Sequence, residues 1–267
     1  MRVFEKECRS ALVKSGIPGT EYCLNPYGGC AHACVYCYAA FMRRFLGTDL
    51  PWGSFVQVKV NFAQRLAAQL KRPKQGTVLL STVTDPYQPV ERHYCLTRAS
   101  LEALAGTGLR VSILTKSDLV VRDLDVITRL PDVEVGFSVT TAEDDTARWL
   151  EPGAPGPSRR FAALHTLAAA GVRTWVFVSP VIPAVADSEA ALAAILERAR
   201  EAGAAWADYD PLNFYPSAVA NLHRLFSRRW PQRVPALQEA QRDVHAYRER
   251  VAALAAAVWP RFGYDLS

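Results

Sequence analysis

Short apolar runs alternate with longer amphipathic stretches along most of this 267-residue chain. Residues 78–83, 111–115, 133–139, 174–179 and roughly 205–210 read as strands. Between and around them, residues 61–70, 97–105, 122–130, 157–170 and 188–202 carry helical patterns. Several of these helices stop just before a glycine, at Gly106, Gly171 and Gly203, a common C-terminal signal. A first strand near residues 22–25 precedes a group of cysteines. Repeated strand–helix units predict an α/β fold with a parallel sheet, rolled into a full or partial barrel or left open. After Pro216 the pattern changes, and residues 217–230 and 235–258 read as two helices with no strand between them. No repeat, low-complexity tract or linker interrupts the chain. Residues 1–267 are expected to form one domain, with a core at about 20–215 and C-terminal helices at about 217–258.

Composition narrows the class. Half of the residues are hydrophobic and 21% are charged, enough apolar material for a sizeable core and incompatible with a disordered or fibrous chain. No signal-peptide core and no run of 18 apolar residues is visible, so a soluble, cytoplasmic protein with no membrane partner is expected. The formal charge of +5 permits a polyanionic partner without requiring one. The tail carries Arg224, Arg228, Arg229, Arg233, Arg242, Arg248 and Arg250 against Glu239, Asp243 and Glu249. That excess fits either a phosphate-tracking face or an ordinary solvated one.

In parallel α/β folds, chemistry sits at the carboxyl ends of the strands. Polar groups follow almost every proposed strand here: residues 25–37, Thr84 and Asp85, Thr115 and Lys116, Ser138 to Thr140, Ser179, and Asp210 to Asn213. The first of these segments contains Cys30, Cys34 and Cys37 in a C-x3-C-x2-C array, with Gly28 and Gly29 before it. The chain is neither short nor secreted, so closely spaced cysteines point to metal or redox chemistry rather than to a disulfide scaffold. Three thiolates on one loop suit three irons of a [4Fe-4S] cluster, with the fourth iron open to a small molecule. Zinc is the alternative, with His32 or Cys23 as a fourth ligand, although this is not a usual zinc spacing. Such a protein would be a metal-stabilised nucleic-acid-binding module without turnover.

The cysteine loop followed by strand–helix units resembles the radical S-adenosylmethionine (SAM) superfamily, over roughly residues 20–215. That resemblance implies a partial (β/α)6 TIM-type barrel with a C-terminal helical extension. The cofactors it implies are a [4Fe-4S] cluster on Cys30, Cys34 and Cys37, and SAM on the open iron. The activity it implies is cleavage of SAM to a 5′-deoxyadenosyl radical that abstracts hydrogen, fed by a reductase or flavodoxin-type electron donor. Within the superfamily, Trp52–Asn61, Thr84-Asp85-Pro-Tyr87-Gln88-Pro-Val-Glu91, Phe137-Ser138 and Leu150-Glu151-Pro-Gly are similar to spore photoproduct lyase and its relatives. These act on a thymine–thymine lesion in DNA. The likeness implies that Tyr36 and Tyr38 flank the cluster, that Tyr38 lies near SAM, that Lys116 meets the SAM carboxylate and that Ser138 meets its methionine end.

The residues themselves add to this. Lys116 is the last of only six lysines against 25 arginines, as expected where a compact ammonium is wanted. Asp85 and Glu91 either bind the SAM ribose or amino group, or build a turn. Glu151, Arg159 and Arg160 either form a structural ion-pair group, the preferred reading, or reach the SAM carboxylate, and Asp210, Asn213 and Tyr215 read as substrate contacts. The lyase-type hydrogen-returning cysteine would stand at position 82, where this chain has Thr82. Cys95 is either the remaining candidate hydrogen donor or, as its type favours, a buried apolar cysteine. DNA is the expected substrate partner under the lyase-like repair reading, with RNA, a peptide or a metabolite as the alternative; the oligomeric state is unknown.

Overall fold

The computed structural model describes residues 1–72 and 74–266. Its centre is a seven-stranded sheet whose strands run, in spatial order, β10-β9-β8-β7-β6-β3-β2. Six of them are parallel: β3 (Tyr22–Leu24), β6 (Thr77–Leu80), β7 (Arg110–Thr115), β8 (Val133–Ser138), β9 (Arg173–Val181) and β10 (Trp206–Pro211). Each new strand is added at the same edge as the last, which right-handed strand–helix–strand connections produce. This is the expected α/β architecture, a (β/α)6 array whose edge strands β10 and β2 are not paired with each other among the described residues. β2 (Leu12–Lys14) joins the first edge antiparallel to β3.

Alternate residues of the central strands share one buried face of the sheet: Val78, Leu80, Val111, Ile113, Val135, Phe137, Val176 and Val178 are all within 1% of full burial. Helices Leu96–Leu104, Pro157–Ala169 and Glu189–Glu201 cover the sheet with Leu101, Leu104, Leu164, Leu167, Leu192 and Leu196. The C-terminal helices are anchored to the same core, since Tyr247 donates to Val181 O and Trp259 Nε1 donates to Ala207 O at 2.9 Å.

Several boundaries differ from the sequence expectation. The strand expected over 78–83 stops at Leu80 because Ser81 takes a left-handed φ of 64° and Asn25 Oδ1 captures the amide of Thr82 at 3.0 Å. The expected helix 235–258 is two helices, Val234–Arg242 and Val244–Val258. Asp243 breaks the run by accepting from Ala246 N at 2.9 Å, an N-cap bond. A second sheet was not expected: β1 (Arg2–Lys6) pairs in parallel with β5 (Phe55–Lys59), which pairs antiparallel with β4 (Tyr27–Gly28). Because β4 leads into Cys30, this sheet fixes where the cysteine loop begins.

Gly136 in β8 lets the Trp175 ring lie across the strand. A Cβ at 136 would sit 2.2 Å from that ring, which is itself stacked on Trp206 at 4.2 Å. Gly136→Ala is expected to destabilise the fold by about 1–3 kcal/mol, read as a lower urea midpoint with an unchanged slope.

Candidate active site

The carboxyl ends of β3, β6, β7, β8, β9 and β10 open into a cavity of about 320 Å³. Cys30, Cys34 and Cys37 form one wall of it. All three are free thiols. The backbone between them passes where side chains have no room. Gly29 has φ 78°, and a Cβ there would lie 2.6 Å from Phe55 O. A Cβ on Gly53 would lie 2.4 Å from that of Ala33, and one on Gly153 would lie 2.1 Å from Ala31 O. Two outside segments hold the loop by hydrogen bonds. After β6, Thr84 Oγ1 donates to Gly29 O at 2.6 Å and Gln88 Oε1 accepts from Ala31 N at 2.9 Å. From the other side, Val35 N donates to Leu150 O at 2.8 Å and Gly153 N to His32 O at 2.9 Å.

Asp85 stands beside the loop as a buried structural carboxylate. It accepts from Thr115 Oγ1 at 2.7 Å, Lys116 N at 2.8 Å and Tyr87 N at 2.9 Å, and it faces His32 Nδ1 at 3.3 Å. Burial alone would raise its carboxyl; the His32 imidazole and the surrounding donors more than reverse that and hold it at about 2. Asp85 lines the cavity, yet its bonds go to the protein, so of its two expected roles the structure displays the turn-building one.

Lys116 and Ser138 meet in the cavity, with Lys116 Nζ 2.6 Å from Ser138 Oγ. Ser138 Oγ donates onward to Ser179 O at 2.9 Å. Behind them Glu151 is paired with Arg160 and accepts from the hydroxyl of Tyr36, while Lys116 Nζ lies 3.9 Å from Glu151 Oε1. Burial would push the Glu151 carboxyl up, but Arg160 and Lys116 hold it below its usual range. The expected ion pair is therefore Glu151–Arg160, and Arg159 pairs separately with Asp118 at 2.6 Å. Lys116 is the one lysine or arginine lining the cavity among the described residues.

Tyr38 and Thr82 lie at the mouth, where the Tyr38 hydroxyl donates to Thr82 O. Tyr38 also lies near Tyr215, with ring centroids 6.5 Å apart, and Tyr215 stacks on Phe41 at 5.8 Å. Asp210 and Asn213 complete this rim. Two expected site residues are not brought to the cavity. Glu91 is fully buried behind β6, bonded to the Tyr27 hydroxyl, to Thr97 N at 3.0 Å and to Arg122 Nη2 at 2.8 Å. Cys95 sits beside that same pair, 3.7 Å from Arg122 Nη1. Sequence reading gave Gln88 no more than a place in a polar loop and His32 only a zinc role; neither carries a signal for bracing the cysteine loop.

Burial raises all three cysteine thiols, and a carboxylate adds to the effect at two of them, Asp85 at Cys30 and Glu151 at Cys34. Buried thiols crowded together in this way become thiolates when a cation is supplied, so the donor set fits a soft metal group. Among the described residues, no three His, Cys, Asp or Glu side chains converge on the position of a single ion.

The family model for the Radical SAM superfamily matches residues 24–203. An uncharacterised protein of Methanocaldococcus jannaschii is 35% identical over 189 residues, covering 71% of this chain and 71% of its own length. The Radical SAM Nalpha-GlyT isomerase of Pseudomonas phage M6 is 27% identical over 229 residues, covering 80% of this chain and 44% of its own. Among solved structures, a mutant of spore photoproduct lyase with bound AdoMet and dinucleoside spore photoproduct superposes with a TM-score of 0.72 at 18% identity. That match covers 99% of this chain and 81% of the other.

Because Asp85 is depressed in the folded state, its contribution to stability is intact above the usual carboxylate value near 4 and is lost as pH falls toward 2. Asp85→Asn is expected to flatten the acid limb of the stability–pH curve over that interval, measured by denaturant titration at stepped pH.

Proposed function

The chain belongs to the radical SAM superfamily, and on that premise we propose that Cys30, Cys34 and Cys37 each bind one iron of its [4Fe-4S] cluster. The observation that carries this reading is their shared cavity with Lys116 and Ser138 at the strand ends. A cubane asks for one thiolate per iron rather than three sulfurs around one ion. Members of the superfamily use this cluster with SAM, and the reduced cluster supplies the electron that cleaves SAM to a hydrogen-abstracting 5′-deoxyadenosyl radical. Lys116 offers the SAM carboxylate a charge-assisted hydrogen bond, restrained by Ser138 and Glu151. Tyr36, tied by its hydroxyl to Glu151, holds the wall beside Cys34, and Tyr38 closes the mouth. Asp85 acts through the loop it braces.

The substrate we assign is a nucleic-acid strand. A second groove, of about 720 Å³, adjoins the cavity through shared Trp52 and is lined by Arg43, Arg44 and Arg224. Arg43 Nε is buried there without a partner among the described residues, which suits an acceptor-rich ligand. Phe41 lines the same groove, and Tyr38, Phe45 and Tyr215 stand exposed around it. Arginines track phosphates and aromatic faces stack bases. Among the described residues the three cluster cysteines are the only thiols lining the cavity, and the Thr82 O–H bond is too strong to replace a thiol as hydrogen donor. The favoured reaction is therefore a rearrangement on a base, in which the 5′-deoxyadenosine formed on abstraction would return its hydrogen to the product radical and no protein thiol is needed; the phage relative bears the name isomerase. Splitting of a spore photoproduct-type DNA lesion, a lyase and repair activity, is the second reading, favoured by an aromatic mouth fit to receive an extruded base.

After anaerobic reconstitution the protein is expected to bind about four irons per chain, and Cys34→Ala to lose most of them; a colourless protein with one zinc would sink the assignment. Lys116→Met should weaken SAM binding by about 10- to 100-fold, measured by equilibrium dialysis, with iron content unchanged. Arg44→Glu with Arg224→Glu should weaken single-stranded DNA binding and lower its salt slope by about 2. With reduced enzyme and SAM, loss of spore photoproduct from DNA would select the second reading. SAM cleavage with the lesion intact would exclude the second reading.

A further inference from the structure

Among the described residues, Trp52 is the one that lines both the SAM cavity and the basic groove beside it. Its place is fixed from three sides. The turn that carries it is closed by Ser54, whose N and Oγ donate to Pro51 O at 3.0 and 2.6 Å. Gly53 follows with φ 87°, so close to the cysteine loop that a Cβ would stand 2.4 Å from that of Ala33. Phe55, fully buried at the start of β5, meets the indole edge-on, with ring centroids 6.2 Å apart and planes at 87°. The same Phe55 ring would stand 3.0 Å from a Cβ on Gly29, so one aromatic fixes both the indole and the approach to Cys30.

An indole N–H can only donate, and burying it without an acceptor is unfavourable. Trp52 Nε1 is buried, and no hydrogen bond is completed from it among the described residues. What it faces is Cys37. Burial raises the Cys37 thiol, and the hydrogen-bond donors that oppose this are the amides of Ala39 and Ala40 and the Trp52 indole. A neutral thiol is a weak acceptor, whereas a thiolate is a strong one. The indole is thus an orphan donor held against an atom that becomes a good acceptor on binding iron. Cys34, by contrast, answers to the charges of Glu151, Lys116 and Arg160.

We propose that Trp52 is a positioning residue for the cluster, donating its Nε1–H to the Cys37 sulfur and thereby raising the cluster's reduction potential. The inference rests on the reading of Cys37 as a cluster ligand. Reduction adds one electron to the cluster and moves no proton, and the ligand sulfurs share the added negative charge. A hydrogen bond to such a sulfur is stronger in the reduced state, which lifts the potential.

The test needs no turnover. On reconstituted protein, the potential is read by dithionite titration, followed by the EPR signal of the reduced cluster. Two replacements remove the donor. One is Trp52→Phe; the other is site-specific incorporation of 3-benzothienylalanine at position 52, which keeps the shape of the indole with sulfur in place of N–H. Both are expected to shift the equilibrium about tenfold toward the oxidised cluster, about 59 mV downward for a one-electron couple, with iron content unchanged. With ¹⁵N-labelled tryptophan, pulsed EPR of the reduced wild-type protein should show an indole nitrogen coupled to the cluster, lost in Trp52→Phe. An unchanged potential in both replacements, or no such coupling in the wild type, overturns the inference. So does a shift confined to Trp52→Phe, which marks water entering beside a smaller ring rather than loss of the N–H. A wild-type protein that binds no iron overturns the cluster reading, and this inference with it.

Discussion

A single buried carboxylate, that of Glu151, ties the site together. At 1% exposure it would be strongly unfavourable alone, since an unpaired charge in the interior costs several kcal/mol. Arg160 answers it directly, and Arg160 in turn bonds Ser138 O at 2.9 Å and Pro155 O at 2.9 Å. Tyr36 from the cysteine loop and Thr140 from the end of β8 converge on the same oxygen. With Lys116 included, two cations share one anion, so the group keeps a net positive charge facing the cavity. The arrangement that fixes the loop is thus also the one that makes the cavity receptive to a carboxylate.

Asp85 plays the corresponding part on the other side of the loop. It gathers the backbone of Lys116, the hydroxyl of Thr115 and the imidazole of His32, while neighbouring Gln88 holds Ala31. The cysteine loop is therefore stretched between two buried carboxylate systems, one after β6 and one after β8. Neither belongs to the loop's own sequence.

That division explains what could be read from the chain. Parallel strands announce themselves as short apolar runs, and the C-x3-C-x2-C spacing and the isolated Lys116 stand out by pattern and rarity. The small second sheet is invisible to such reading because every side chain of Arg2–Lys6 is exposed, and its partner β5 begins 53 residues later. Polarity after a strand says that a residue is near the rim but not which way it turns. Asp85 turns toward the cavity wall, whereas Glu91 turns inward to Arg122, 31 residues away, and leaves Cys95 outside. The basic groove was hidden for a similar reason. Arginines 43 and 44 follow the cysteine loop, Arg224 lies on the helix Pro216–Arg229, and only tertiary packing brings them together.

The outer clamp on the cysteine loop carries a consequence for how the protein is made. Val35 and His32 are held by Leu150 and Gly153, more than a hundred residues further along the chain. During synthesis from the N-terminus, all three thiols leave the ribosome long before the segment that shuts one side of their loop. For that interval the nascent chain presents an open, solvent-facing trithiol. Oxidation of those thiols then has a window whose length is set by the translation of residues 38 to 153.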